Sequence, residues 1–357
     1  MRTTNGGVAA AAVMLALVSG CGGDTGGQAS SSTTASVHAG VAASATLAAS
    51  EAFLATLLPQ QLTDAVVDRT SVNLAHWSNL PDGIFARAGV RMDTLTQAQR
   101  QAALAILRAA LSPAGYQQVE QITTADGVLA ATATGEHPDF GADHYWIRFV
   151  GRPSATDPYT IEYGGHHLAL NVTVKGAAMT TAPTLWGAQP ATYEHGASEV
   201  EPLSGETKKA FAVMDSLDAT QQRQALLDTP MKEIVLGPGQ DGKQLAPEGA
   251  HAATFTDAQK ATLLDLITEW LTTLNTENST AKVAKAKAEI NDTTFAWSGQ
   301  TTIGNPIYYR VQSPSFVIEF AHQQGKFNQQ PGQGGGITHI HSIYRELGND
   351  YAGDSGN

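Results

Sequence analysis

Thr96-Gln97-Ala98-Gln99-Arg100 recurs, conservatively altered, as Thr256-Asp257-Ala258-Gln259-Lys260. Each run has the form of a capping box. The threonine hydroxyl accepts from an orphan backbone N–H of the first helical turn, and the glutamine three residues on reaches back to the threonine. Apolar residues follow at matching offsets, Leu104, Leu107 and Leu111 in one copy and Leu264, Ile267 and Leu271 in the other. That spacing is one face of a helix. Two amphipathic helices therefore stand 160 positions apart.

The repetition extends outward from these helices. Tyr145-Trp146-Ile147-Arg148 precedes Pro153-Ser154 and then Thr160-Ile161-Glu162-Tyr163, while Tyr308-Tyr309-Arg310 precedes Pro314-Ser315 and then Val317-Ile318-Glu319-Phe320. Aromatic and β-branched runs around a Pro-Ser turn read as β-hairpins. The Pro-Ser turns are offset by 161, as are Gln60-Gln61 and Gln221-Gln222. The expected fold is α+β: two pseudo-symmetric helix–helix–β-hairpin halves, residues 49–200 and 201–357, forming one body with an antiparallel sheet and flanking helices. The two halves are expected to pack about a pseudo-twofold axis.

Composition narrows the function. The chain has 357 residues, 42% hydrophobic and 15% charged, with 21 Lys+Arg against 33 Asp+Glu. A balance of −12 offers no basic surplus for phosphates, so nucleic acid is not an expected partner. The single cysteine excludes a disulfide framework and a cysteine-based zinc site.

That cysteine has a telling place. Arg2 is followed by the apolar stretch Val8–Leu17, too short for a membrane span but suited to an export signal. Val18-Ser19-Gly20-Cys21 then resembles the lipobox of bacterial lipoproteins, which implies cleavage after residue 20 and lipidation of Cys21. Residues 1–20 read as a lipoprotein signal peptide and 21–48, built of Gly, Ser, Thr and Ala, as a flexible tether. The expectation is an exported body lipid-anchored to the bacterial membrane, on the periplasmic or cell-surface face, with the lipid on Cys21 as its membrane contact.

Eleven histidines are unevenly spread. After the loop Gln329–Gly336 comes Thr338-His339-Ile340-His341-Ser342, and on a strand His339 and His341 share a face. An H-x-H pair so displayed can chelate a metal through neutral imidazoles. In the first half, Gly164-Gly165 leads into His166-His167. If the strand after it is regular, His166 and His167 face opposite ways and only one joins a shared site. With Glu319 as the carboxylate, these histidines suffice for a divalent metal such as Zn, Fe or Mn, leaving open positions. Glu162 and Asp350 are the candidate catalytic or ligand-orienting carboxylates. The competing reading is that the histidines only hydrogen-bond within a polar core or cover a sheet edge. Arg148, Arg310 and Tyr309 are candidates for binding an anionic or aromatic substrate group, or else the arginines cap carboxylates such as Glu162 and Glu319.

Two activities are set aside. Gly237-Pro238-Gly239-Gln240-Asp241-Gly242-Lys243-Gln244 nearly spells a phosphate-binding loop, but the closing Ser/Thr is Gln244 and Pro238 removes an amide, so no ATP is expected. No G-x-S-x-G elbow or S-x-x-K motif stands in a suitable context, and Cys21 is consumed by its lipid.

Several runs together resemble the bacterial family catalogued as domain of unknown function 3500. They are Trp77-Ser78-Asn79-Leu80-Pro81 with Arg87-Ala88-Gly89-Val90, Ala110-Leu111-Ser112 with Gly115-Tyr116, and Gly165-His166-His167-Leu168-Ala169-Leu170-Asn171. They continue in Leu185-Trp186-Gly187-Ala188-Gln189-Pro190, Tyr308-Tyr309-Arg310 with Ile318-Glu319-Phe320, His339-Ile340-His341-Ser342, and Asn349-Asp350-Tyr351. Phe320-Ala321-His322 departs from a Tyr-Asp-Asn-like run. The resemblance spans about 50–355, implies one family-length, often exported unit, and carries no activity with it. Function is therefore expected from the residues: a metal-dependent envelope hydrolase, with a non-catalytic lipoprotein that binds a metal or small ligand as the alternative. A purely structural envelope role is the third reading.

Overall fold

The computed structural model describes residues 32–133, 138–323 and 336–354. Residues 1–31, which hold the expected signal peptide, Cys21 and the start of the expected tether, and most of the Gly-rich loop before His339 lie outside the described residues. The first half contains α1 (Ser32–Leu54), α2 (Pro59–Ala65), β1 (Val66–Val67), α3 (Ser71–Leu74), β2 (Val90–Arg91), α4 (Gln97–Ala110) and α5 (Pro113–Thr132). Strands β3 (Tyr145–Val150), β4 (Tyr159–Gly165), β5 (Leu168–Lys175), β6 (Ala178–Thr180) and β7 (Thr184–Ala188) follow. A small hairpin, β8 (Tyr193–His195) and β9 (Ser198–Val200), leads to α6 (Ser204–Ser216), α7 (Ala219–Ala225), β10 (Ala250–His251), α8 (Asp257–Leu271) and α9 (Thr276–Ala288). The chain closes with β11 (Thr294–Gly299), β12 (Ile307–Gln312), β13 (Phe316–His322) and β14 (Ile340–Glu346).

Among the described residues, twelve strands form one mixed sheet in the order β1-β3-β4-β5-β7-β14-β13-β12-β11-β10, with β2 beside β3 and β6 beside β5. All pairings are antiparallel except β1 with β3. The fold class is thus the α+β arrangement that the sequence implies. Period-two alternation sorts the strands' residues onto two faces. Ile147, Phe149, Ile161, Leu170, Trp186, Phe320, Ile340 and Tyr344 share a core with the helices, including Ile106 and Leu107 of α4 and Leu266 and Ile267 of α8. Val150, Ala169, Leu185, Val317 and Ile343 point the other way and are covered by Leu74 at the end of α3 and by Trp77, Leu236 and Tyr351 outside the long helices and the sheet.

Both capping boxes form. Thr96 N–H donates to Gln99 Oε1 at 2.9 Å, and Thr256 N–H to Gln259 Oε1 at 2.8 Å. Each glutamine then ties its helix to the preceding ones: Gln99 Nε2 donates to Thr56 O and Gln61 Oε1, and Gln259 Nε2 to Ser216 O and Gln221 Oε1. The second half runs helix, helix, short strand, capped helix, helix, strands, and the first half runs the same way except that β1 and α3 stand between its second helix and its short strand β2.

Two expectations change. Residues 40–48 belong to helix α1 and not to a tether, with Ala42, Ala43, Thr46, Ser50 and Phe53 buried. Alanine has the highest helix propensity, and small residues at this spacing let α1 lie close to α4. Burying Phe53 completely contributes about 1.5–3 kcal/mol, which anchors the helix. The second change concerns the matched hairpins. Counted inward from the two ends of the sheet, β3 and β11 stand second, so β3–β4 and β12–β13, with their turns at Pro153-Ser154 and Pro314-Ser315, take different places in the strand order. No described helix is long and apolar enough to cross a membrane.

Candidate metal centre

Three features of the chain bring four imidazoles together. First, β4 and β5 are joined by a two-residue turn, since Gly165 pairs with Leu168, and the turn is His166-His167. His167 has φ +63°, a left-handed conformation that costs a non-glycine residue on the order of 1–2 kcal/mol. The expectation that the two histidines face opposite sides of a strand therefore fails, because neither is on a strand. Their rings pack together with centroids 3.6 Å apart. Second, β14 starts at Ile340, and His341 points to the sheet face away from the helices, as does Ile343. Third, the cross-strand neighbours of His341 are Gly187 on β7 and Ala321 on β13, small residues that leave room for imidazoles. A Cβ on Gly187 would stand 3.3 Å from the His167 ring and 2.6 Å from Ile340 O.

The geometry that results is convergent. His167 Nε2 lies 2.7 Å from His339 Nε2, which lies 3.1 Å from His341 Nε2. Two nitrogens on a tetrahedral zinc ion stand about 3.3 Å apart, given Zn–N bonds of about 2.0–2.1 Å, so the three ligands need separate only slightly. Outer partners fix the rings. His341 Nδ1 faces both Glu233 oxygens, at 2.9 and 3.0 Å, which places its proton on Nδ1 and turns the Nε2 lone pair inward. Asn79 Nδ2 donates to that Nε2 at 3.2 Å, and Asn79 O accepts from His167 N–H at 3.2 Å. His339 Nε2 can donate to only one of its two neighbours, and Asn79 Nδ2 serves His341 Nε2; a cation at the centre would take all three lone pairs in place of these contacts.

Electrostatics agree with ligation. All four rings are 1–8% exposed. Burial, and then the repulsion that a second charge among these adjacent rings would meet, holds the pKa values of His166, His167 and His339 well below the usual histidine range, so they are neutral and able to ligate. Burial opposes ionisation of Glu233, but its contacts with His341 outweigh that and keep its pKa below the usual carboxylate range. Beside the triad, Asp126 of α5 accepts from His166 Nδ1 at 2.6 Å. The ligand atoms of Asp126, His166 and His167 lie within 4.8 Å of one another, as do those of His167, His339 and His341.

A family model described as "Protein of unknown function (DUF3500)" matches residues 39–353. The chain belongs to the DUF3500 family. No curated protein and no solved structure matches it.

In this DUF3500 chain the four histidines named from sequence meet, and the carboxylates named with them do not join. Glu162 is held by Arg148, whose Nε and Nη2 donate to it at 3.0 and 2.6 Å. Glu319 accepts from Val235 and Leu236 N–H, at 3.0 and 2.8 Å, and from Tyr308 OH at 2.6 Å, so its oxygens pin a loop. Asp350 accepts from Arg345 at 2.7 Å and from Glu346 N–H at 2.9 Å. The candidate substrate-binding residues are likewise occupied. Arg310 reaches Glu248 and Ala246 O instead of Glu319, and Tyr309 is buried, stacked on Phe320, with its OH donating to Glu206 O. Buried charges need such partners, and these spend them on the fold.

The carboxylates that do attend the histidines were missed. Asp126 carried a signal: it lies four residues after Ile122 and three before Leu129, both buried, so an acid stands on the apolar stripe of α5. Glu233 and Asn79 lie in irregular segments, where no periodicity marks them.

Proposed function

We propose that this protein binds a divalent metal ion through His167, His339 and His341 and uses it in hydrolysis. The observation that carries the reading is the convergence of three Nε2 atoms within 2.7 and 3.1 Å, with Glu233 orienting one ring. Three protein ligands leave a coordination position open, the arrangement of catalytic sites, whereas four close the shell. His167, His339 and His341 would hold the ion, which would supply Lewis acidity toward a bound water near neutral pH. Glu233, with its side chain 38% exposed, links the Nδ1 side of the buried His341 ring to solvent and would hold that ring in its ligating tautomer.

A non-catalytic metal-binding role is the second reading, supported by the near-complete burial of the four rings. The test is metal content of the purified full chain beside a His339→Ala/His341→Ala double variant, followed by ester, amide and phosphoester screens. Stoichiometric metal with metal-dependent turnover supports the hydrolase. Metal without turnover and with four protein ligands supports the binding protein, and absence of metal after reconstitution sinks both.

The proposed setting is the cell envelope, with the body anchored through lipid on Cys21. Support comes from Val18-Ser19-Gly20-Cys21 behind a short apolar stretch. Loss of fatty-acid labelling in Cys21→Ser is the expected outcome.

A further inference from the structure

The two metal-ligating groups share one residue, His167. Its Nε2 faces His339, and its Nδ1 lies 3.9 Å from Asp126 Oδ1, too far for a hydrogen bond. Two atoms here are buried with no hydrogen-bond partner: His167 Nδ1 and Asp126 Oδ2. Both residues are 1% exposed. A buried polar atom left unpaired has lost its hydration without compensation, so two in one place call for a ligand. His166 completes the arrangement, with its Nδ1 2.6 Å from Asp126 Oδ1 and its ring packed on that of His167.

We propose that His167 bridges two ions. Its Nε2 serves the ion of the His339–His341 pair, and its Nδ1 serves a second divalent ion held with Asp126 and His166. The inference rests on the metal reading above and extends it from one ion to two. Binding of the second ion at Nδ1 displaces the remaining ring N–H proton to solvent, leaving His167 as an imidazolate. That anion and the Asp126 carboxylate offset charge that two cations bring into a buried place. The left-handed backbone of His167 has a role in this arrangement, since it holds the ring between both ligand groups.

The test uses the full chain reconstituted with Cu(II), with metal counted by mass spectrometry and coupling read by electron paramagnetic resonance. Two ions per chain with an exchange-coupled signal are expected. Asp126→Asn and His166→Ala should each leave one ion and an uncoupled signal. A single uncoupled ion in the parent, lost in His339→Ala/His341→Ala and indifferent to Asp126→Asn and His166→Ala, overturns the bridge and leaves the one-metal reading standing. No ion in the parent overturns both. Should Asp126→Asn fail to fold, the parent's coupling and His166→Ala decide the matter.

Discussion

The Nε2 atoms of His167 and His339 lie 2.7 Å apart although 172 positions separate the residues, one in each half of the chain. Burial holds both rings neutral, with pKa values well below that of an unfolded histidine, about 6.5. The native state then binds fewer protons than the unfolded state once pH falls below that value. Stability contributed by keeping these rings neutral is present above pH 6.5 and lost as pH drops. Metal-free protein should therefore show a falling urea midpoint between about pH 7 and 5, and the His339→Ala/His341→Ala variant a flatter profile; equal slopes would contradict the assignment.

Glu233 orients the ring of His341 from a partly exposed position. Glu233→Gln should weaken metal binding by about 10–100-fold, the usual effect of removing an outer-shell carboxylate. Folding should be little changed. Competition against a chromophoric chelator measures the affinity, and an unchanged value would remove Glu233 from the site.

Arg148 and Glu162 form a buried pair within the first half. Arg148→Met leaves a buried carboxylate without its cation and should cost about 3–5 kcal/mol. Glu162 carries a pKa raised by burial even with Arg148 present. Pairing Arg148→Met with Glu162→Met should recover much of the loss in denaturant titration. Loss of turnover with full stability would instead make Arg148 a substrate group.

These pairs show what the sequence could disclose. Thr96, Gln99, Thr256 and Gln259 act within three residues of chain, so local chemistry alone announced them. His339 and His341 were legible for the same reason, because period two places them on one face. The turn at His166-His167 was not, since a histidine occupies the left-handed position that glycine or asparagine usually takes. Helix α1 was hidden by composition: its buried stripe is Ala42, Ala43, Thr46 and Ser50, small residues without an apolar contrast. The carboxylates were misassigned because cross-strand arginines and loop amides, invisible in one dimension, had already claimed them.

Glu206 offers a second pH test. It is buried, and that burial, with Glu269 nearby, pushes its pKa up to about 7. A folded pKa above the unfolded value means that stability is fullest below about pH 4.5 and is lost as pH rises through 7. The shift corresponds to a loss on the order of 3 kcal/mol. Glu206→Gln keeps an acceptor for Gln118 and should be more stable than the parent at pH 8 but not at pH 4. Thermal melts at both values decide it.

Gly187 sets the room around the triad. Gly187→Ala brings a Cβ to 2.6 Å from Ile340 O and 3.3 Å from the His167 ring. Overpacking of this kind costs about 1–3 kcal/mol, and metal affinity should fall with stability. Full affinity in this variant would show that the His167 ring tolerates displacement.

The strand order also governs how the protein is made. One edge of β7 pairs with β14, the last strand, which begins about 150 residues later. Until β14 leaves the ribosome, the nascent first half presents an unpaired strand edge in the middle of what will become the sheet. Exposed edges recruit other chains, so this interval is the vulnerable period of biosynthesis. A polypeptide truncated before Ile340 would carry that open edge permanently, together with an incomplete ligand set, and aggregation is its natural fate.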